Sequence, residues 1–257
     1  MAPRPPSSPL NFNRTLRRLA DEFREPQAAA LRDELHALVH GLTSRGLELR
    51  LDHGRDWENV HCLLELQRCF NGFPAKLVEI GGGNSPVAIY LARAGCDVTV
   101  LDVDRGALAA LEHNARELEL SNRLRGVHGG IGGWPLGDGE FDAALSISVV
   151  EGILRSKRRE HFAELSRVLA PGGHALMTFD FGPGSRFVSD APHTAEEVER
   201  DLVGISGLEL VGEEFCDLGV DPHLGPPIKV LAPTADGFDQ RVVEYTFGAV
   251  HLRRGNG

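Results

Sequence analysis

Val78-Glu79-Ile80-Gly81-Gly82-Gly83-Asn84-Ser85-Pro86 reads as a buried strand, a tight glycine turn and the start of a helix. Glycines let the backbone reverse sharply and admit a ligand to contact distance. Ser85 is a natural N-cap, and Pro86 at the first helical position needs no hydrogen-bond partner there. A second element follows. Asp102 ends the apolar strand Val98-Thr99-Val100-Leu101, 21 positions after Gly81. Doubly wound α/β sheets place a ribose-binding carboxylate at about that interval. Asp102 could instead cap the helix that begins near Arg105, but Asp104 suits that task better, which leaves Asp102 for the sugar.

Outward from this stretch the chain alternates strands and helices. Leu77–Ile80, Val98–Leu101, Arg123–His128, Phe141–Ile147 and Gly173–Phe181 read as strands. Pro86–Ala94, Arg105–Leu120 and Lys157–Leu169 read as helices. Such alternation predicts parallel βαβ units whose right-handed crossovers bring every strand-to-helix loop to one sheet edge. After Thr194 a further helix is expected, then strands over Leu208–Phe215 and Val242–Leu252. Ahead of Ala75, helical spacing appears over Asn13–Glu25, Gln27–Leu42 and Trp57–Phe70, with a short strand possible at Leu47, Leu49 and Leu51. Met1–Pro9 is rich in Pro and Ser and is expected to be disordered. The chain therefore divides into a helical segment, residues 1–74, expected to act as a lid over the active site, and an α/β domain, residues 75–257.

The formal charge of −10 argues against nucleic acid as a partner, because neutralising phosphates takes a basic face. Between Asp190 and Asp221 ten acids stand against the single Arg200, a run read as a solvated surface. Cys62, Cys69, Cys96 and Cys216 form no CxxC pair and no recognisable zinc spacing, so no metal is assigned; Cys62 and Cys69, seven apart, are expected to share a buried helix face. Asp138, Glu140 and Asp142 suit a solvated turn better than a cation site. No apolar run reaches membrane-span length and the start lacks a signal-peptide core, so a cytoplasmic protein is expected.

At this point the chain resembles the class I (Rossmann-like) methyltransferases that use S-adenosylmethionine, in particular their small-molecule branch. The acid and glycine turn are followed by Leu91-Ala92-Arg93-Ala94-Gly95. Trp134-Pro135-Leu136-Gly137-Asp138-Gly139-Glu140-Phe141-Asp142 is similar to the family's loop into strand four. Ser148-Val149-Val150-Glu151 is similar to the phrase after it, and Glu164-Leu165-Ser166-Arg167-Val168-Leu169-Ala170-Pro171-Gly172-Gly173 to the helix-to-strand-five signature. The likeness covers about Leu77 to Phe181. It implies a seven-stranded, mostly parallel sheet with helices on both faces. It also implies S-adenosyl-L-methionine as cofactor, S-adenosyl-L-homocysteine as product, and cofactor contacts from Glu79, Gly81, Gly82, Gly83, Asp102, Val103, Ile131 and Ser146. Two departures stand out. Ser85 replaces the commoner third glycine, which also speaks against a dinucleotide pyrophosphate at this helix start. Gly130 stands where the family often carries an Asp that reads the adenine amino group.

Methyl transfer is an in-line displacement in which positioning supplies most of the catalysis, and a base matters only when the nucleophile must lose a proton. Ser146, Ser148, Glu151, Asp180, Arg186, His193 and His223 are the polar candidates near the ends of strands four and five. Glu151 and His193 rank first as catalytic residues. Trp57 and Trp134 are candidates for the pocket wall, though plain packing is the commoner role. The expected reaction is methyl transfer to an oxygen, nitrogen or carboxylate of a small molecule, in a secondary-metabolite or glycan-type pathway. The alternatives are non-methyl chemistry on the same scaffold and a decayed cofactor-binding protein. The partner is a small-molecule acceptor, without nucleic acid or membrane, on a monomer or homodimer.

Overall fold

The computed structural model describes residues 12–16, 19–49, 55–182, 190–218, 228–234, 237–243 and 246–256. The expected disordered start, Leu51, Arg186 and His223 lie outside these residues. The described residues begin with a two-residue strand, β1 (Arg14–Thr15), a single helical turn α1 (Leu19–Glu22), and two longer helices, α2 (Pro26–Thr43) and α3 (Asp56–Phe70). The helix expected over 13–25 therefore forms only in part. Its first residues satisfy their backbone elsewhere: Thr15 N–H donates to the Cys216 carbonyl and Leu16 N–H to that of Phe247, while the Asn13 amide donates to the Val211 and Glu213 carbonyls. A free sheet edge offers these groups partners that an isolated turn of helix does not.

Next come β2 (Lys76–Ile80), α4 (Pro86–Arg93), β3 (Asp97–Asp102), α5 (Arg105–Glu117), β4 (Leu124–His128), β5 (Phe141–Ile147), α6 (Arg155–Val168) and β6 (Leu169–Phe181). These five strands are parallel, in the order β6-β5-β2-β3-β4. The chain builds outward from β2 to β4, then returns to the other side of β2 with β5. The order thus reverses between β2 and β5, where open α/β sheets bind their ligands. Between Phe141 and Ala143 the β5–β6 register shifts to absorb the Pro171-Gly172-Gly173 turn.

A helical stretch, α7 (Ala195–Val198) running through a π turn (Glu199–Val203) into α8 (Gly204–Ser206), leads to β7 (Glu209–Leu210). A hairpin of β8 (Ile228–Thr234) and β9 (Gly237–Val243) precedes β10 (Thr246–Arg253), which lies antiparallel to β6. β1 and β7 both pair with β10. The sheet is therefore eight-stranded and mostly parallel, one strand more than the seven anticipated: six strands form its body, and the two-residue β1 and β7 add to its β10 side. Two expectations are corrected. The strand foreseen over 208–215 shrinks to Glu209–Leu210, and the one over 242–252 is split between β9 and β10.

Helices cover both faces. Alternate strand residues Leu77, Val98, Val100, Leu145 and Leu176 pack with α2, α3, α4 and α5 on one face. Val78, Ile80, Leu101, Met177 and Phe179 pack with α6, Val198 and Leu202 on the other. Among the described residues 47–49 of the possible strand at Leu47, Leu49 and Leu51, none is in a strand. Instead the Glu48 carbonyl accepts from the side-chain amides of Asn84, which follows the glycine turn, and Asn114 of α5 at 2.6 Å. That clamp fixes the N-terminal segment against the carboxyl edge of the sheet.

Candidate active site

The glycine turn adopts the conformation its sequence requires. Gly81 sits at φ 68°, its N–H donates to the Leu101 carbonyl at 2.7 Å, and a Cβ there would lie 2.6 Å from Val149 Cγ2. A Cβ on Gly82 would lie 2.6 Å from the Glu79 carboxyl carbon. Ser85 caps α4, accepting from Val87 N–H at 3.0 Å and Ala88 N–H at 3.4 Å. Asp104 caps α5 in the same way, from Gly106 and Ala107, as its sequence position indicates. Asp102 is thereby released from capping; it is buried, and its Oδ1 accepts from Asp104 N–H at 2.8 Å, which holds the carboxyl at the mouth of the β3 turn.

Val103 beside it is 67% exposed, an apolar side chain presented to solvent at the sheet's ligand edge. Gly130 lies across from it, and a Cβ there would meet only Val103 Cγ1, at 3.9 Å. The Trp134 indole donates to the Gly130 carbonyl at 2.8 Å, so Trp134 is a packing residue that shapes this loop. Ile131 is half-buried in the same loop. Ser146, opposite Ile80 across β5 and β2, is buried, and its hydroxyl has no hydrogen-bond partner among the described residues.

Beside the glycines, the ends of β5 and β6 meet the start of α3. Glu58 of α3 is buried, and its Oε1 accepts from Ser148 Oγ at 2.6 Å and Thr178 Oγ1 at 2.7 Å. Its Oε2 is buried with no hydrogen-bond partner among the described residues. Burial pushes the Glu58 carboxyl up to about 7, against the pull of Arg55 and the two hydroxyls. Glu151, on the 3-10 turn Val150–Gly152, is also buried, with Oε2 unmatched among the described residues. Burial, and then the charge of Asp180, raise its carboxyl well above the usual range. Asp180 is raised by burial too, opposed by Arg55. Arg55 itself donates to the Ile147 carbonyl at 3.2 Å, bridging the N-terminal segment to the end of β5.

Three acids and one arginine thus converge at the carboxyl ends of β5 and β6. The structure brings Ser148, Glu151 and Asp180 together, as their sequence positions suggested, and adds Arg55, Glu58 and Thr178. His193 lies at the start of α7. Its Nδ1 faces the Gly182 carbonyl at 3.2 Å and its N–H donates to Glu197 Oε2 at 2.7 Å, which ties the start of α7 to the end of β6. Trp57 is buried and stacks on His61 at 4.6 Å, so it belongs to the core.

The arrangement is an α/β sheet whose carboxyl edge carries the glycine turn with, beside it, a buried acidic cluster of Glu58, Glu151 and Asp180, here termed the acidic chamber. Residues 78–177 match the family model described as a methyltransferase domain. The chain is 30% identical over 179 residues to a release factor glutamine methyltransferase from Nitratidesulfovibrio vulgaris, across 58% of this chain and 61% of the relative. It thus spans about three fifths of that relative's length. Among solved structures, the [4+2]-cyclase SpnF superposes with a TM-score of 0.58 at 19% identity, covering 89% of this chain and 96% of that one. Geranyl diphosphate C-methyltransferase from Streptomyces coelicolor A3(2), solved with S-adenosyl-L-homocysteine, superposes at 0.52 and 15%, covering 79% and 82%. The likeness to the family model is confined to residues 78–177, and the fold is the one these solved structures share. Among the described residues no helix is long and apolar enough to cross a membrane.

Proposed function

We propose that the protein transfers a methyl group from S-adenosylmethionine to a small molecule held in the acidic chamber. The observation that carries this reading is the adjacency of the Gly81–Gly82 cradle and Asp102 to the cluster of Glu58, Glu151 and Asp180. The residues suit the cofactor: a turn where side chains would collide, a carboxyl for the ribose hydroxyls, the exposed Val103 with Ile131 for the adenine faces, and the unmatched Ser146 hydroxyl. When bound, S-adenosylmethionine supplies a methyl carbon already activated by its sulfonium.

The chain's own residues then position the acceptor and take its proton. Glu58 titrates near neutrality, where a general base is most effective. Ser148 and Thr178 fix one of its oxygens and leave Oε2 to accept a proton from an acceptor O–H or N–H. Glu151, whose carboxyl burial and the Asp180 charge raise well above its ordinary range, lies beside Glu58 and serves as a hydrogen-bonding group for the acceptor. His193, which the sequence ranked with it, contributes by ordering the β6–α7 connection. The burial of Glu58 between α3 and the ends of β5 and β6 favours a small acceptor with an oxygen, nitrogen or carboxylate nucleophile, as in secondary-metabolite or glycan-type pathways. Residues 1–74 act as a lid clamped by Asn84 and Asn114. The protein works in the cytoplasm, without nucleic acid, as a monomer or homodimer.

The open space at Gly130, where an adenine-reading acid would fit, keeps a second reading alive: a cofactor-dependent reaction other than methylation on this scaffold. Supplying labelled methyl donor to fractionated metabolite pools separates the two. A labelled product one methyl heavier, with S-adenosylhomocysteine released, supports transfer. Cofactor binding without label in any product sinks it.

A further inference from the structure

A second cluster of chemistry-bearing side chains lies at the other end of α3. Cys69 near its C-terminus, His174 early in β6 and His251 in β10 place one donor atom each within 4.8 Å of one another. His174 stands four residues before Thr178 on the same strand, about 13 Å along it from the acidic chamber. His174 Nδ1 and His251 Nε2 are 2.7 Å apart, and Cys69 Sγ is 4.0 Å from the same Nε2. We propose that Cys69, His174 and His251 form a binding site for a divalent transition-metal ion of the zinc type, with Glu65 as the outer partner of His251.

Four observations carry this assignment. The donor set is a thiol and two imidazoles, the ligands that zinc and cobalt favour. His251 is wholly buried, and its Nδ1 faces Glu65 Oε1 at 2.8 Å, with Arg68 on the same carboxylate. A carboxylate behind one ring nitrogen sets the tautomer that leaves Nε2 as a lone-pair donor, the arrangement that orients metal-bound histidines. Ordinary bond lengths put ligand atoms of a tetrahedral site about 3.3–3.6 Å apart, so the present 2.7 and 4.0 Å bracket the need and movements of under ~1 Å meet it. Cys69 and His174 are only half-buried, which leaves a side open for entry and for a water as fourth ligand.

A thiol coordinates as the thiolate, so binding expels the Cys69 proton as the metal–sulfur bond forms. An ion here pins the C-terminal end of α3 to β6 and β10, while the opposite end of α3 supplies Glu58 to the chamber.

The test uses the full chain stripped with a chelator and titrated with Co²⁺. One equivalent is expected to bind with a near-ultraviolet thiolate-to-cobalt band and intense visible bands, and Zn²⁺ is expected to displace it. Cys69→Ser should abolish the thiolate band, His174→Ala should weaken binding at least ~10-fold, and Glu65→Gln should weaken it ~10–100-fold. Cofactor affinity should be unchanged in Cys69→Ser, a near-isosteric exchange whose fold is checked by circular dichroism. Absence of the thiolate band in the wild-type chain overturns the proposal, as does a Cys69→Ser protein with the wild-type spectrum. If His174→Ala fails to fold, the spectrum of Cys69→Ser decides alone. These readouts owe nothing to methyl transfer, so the site stands or falls separately from the proposed activity.

Discussion

Ser148 Oγ donates a 2.6 Å hydrogen bond to Glu58 Oε1, joining residues 90 positions apart. Ser148 holds φ at 49°, a conformation that L residues adopt at a cost. The glycine turn that would hold the cofactor and the acid that would take the proton are thereby coupled through one short turn. Val149, the next residue, packs against Gly81.

Replacing Glu58 with Gln removes the proposed base and keeps its shape. Turnover is expected to fall ~10²–10⁴-fold, with cofactor affinity from calorimetry little changed. A variant that turns over at the wild-type rate would remove Glu58 from the role of base.

The same carboxyl predicts two pH dependences. Activity should rise as Glu58 loses its proton, with an inflection near pH 7 that vanishes in Glu58→Gln. Stability should move the other way. The folded value of about 7 lies above the usual 4.5, so the folded chain binds more protons than the unfolded one between those limits. This contribution is complete below pH 4.5 and is lost as pH rises through 7, on the order of 3 kcal/mol in total. Denaturant titrations at pH 5 and pH 8 should show a smaller difference for Glu58→Gln than for the wild type.

Gly81→Ala places a methyl group 2.6 Å from Val149 Cγ2 at a positive φ. A stability loss of about 1–3 kcal/mol is expected, with cofactor affinity reduced at least ~10-fold. Adding Val149→Ala should recover the part due to collision and leave the part due to φ. Full additivity of the two single effects would show that the pair is not coupled.

Asp102→Ala should weaken cofactor binding by at least ~1.4 kcal/mol, tenfold, by removing a charge-assisted bond to the ribose. Asp102 also accepts from Asp104 N–H, so Asp102→Asn serves as the control that retains an acceptor for the turn. Unchanged affinity in both variants would separate this carboxyl from the sugar.

Gly130→Asp puts a carboxyl where a Cβ meets only Val103, at 3.9 Å. The side chain has room, and tighter cofactor binding is expected, up to about tenfold from one added charge-assisted bond to the adenine amino group. Weaker binding with an intact fold would mean that adenine does not lie over this loop.

The helix α3 shows how far sequence reading reaches. Its length was legible from the recurrence of Val60, Leu63 and Leu64. Its chemistry was hidden in a second stripe: Arg55, Glu58, Cys62, Glu65 and Cys69 recur at intervals of three and four and therefore share one face. Charged residues at such intervals normally lie in water, and only the strands beneath α3 turn this face into buried contacts with Thr178 at one end and His251 at the other. The opening residues 13–16 misled for a related reason. Apolar spacing there fits a helix, but the outer edge of β10 offered the backbone a better set of partners.

The local chain by itself determined the glycine turn, the caps at Ser85 and Asp104, and the alternation of strands and helices. Each depends on backbone conformations or hydrogen bonds spanning a few neighbours. The tertiary structure alone decided that Glu58 meets Ser148 and Thr178 beside the other two acids, and which cysteine meets the two histidines. Those partners lie 77 to 182 residues apart, and no short-range rule records such distances. Burial then sets their charge states, because the field felt by a carboxyl or thiol depends on what the whole fold packs around it.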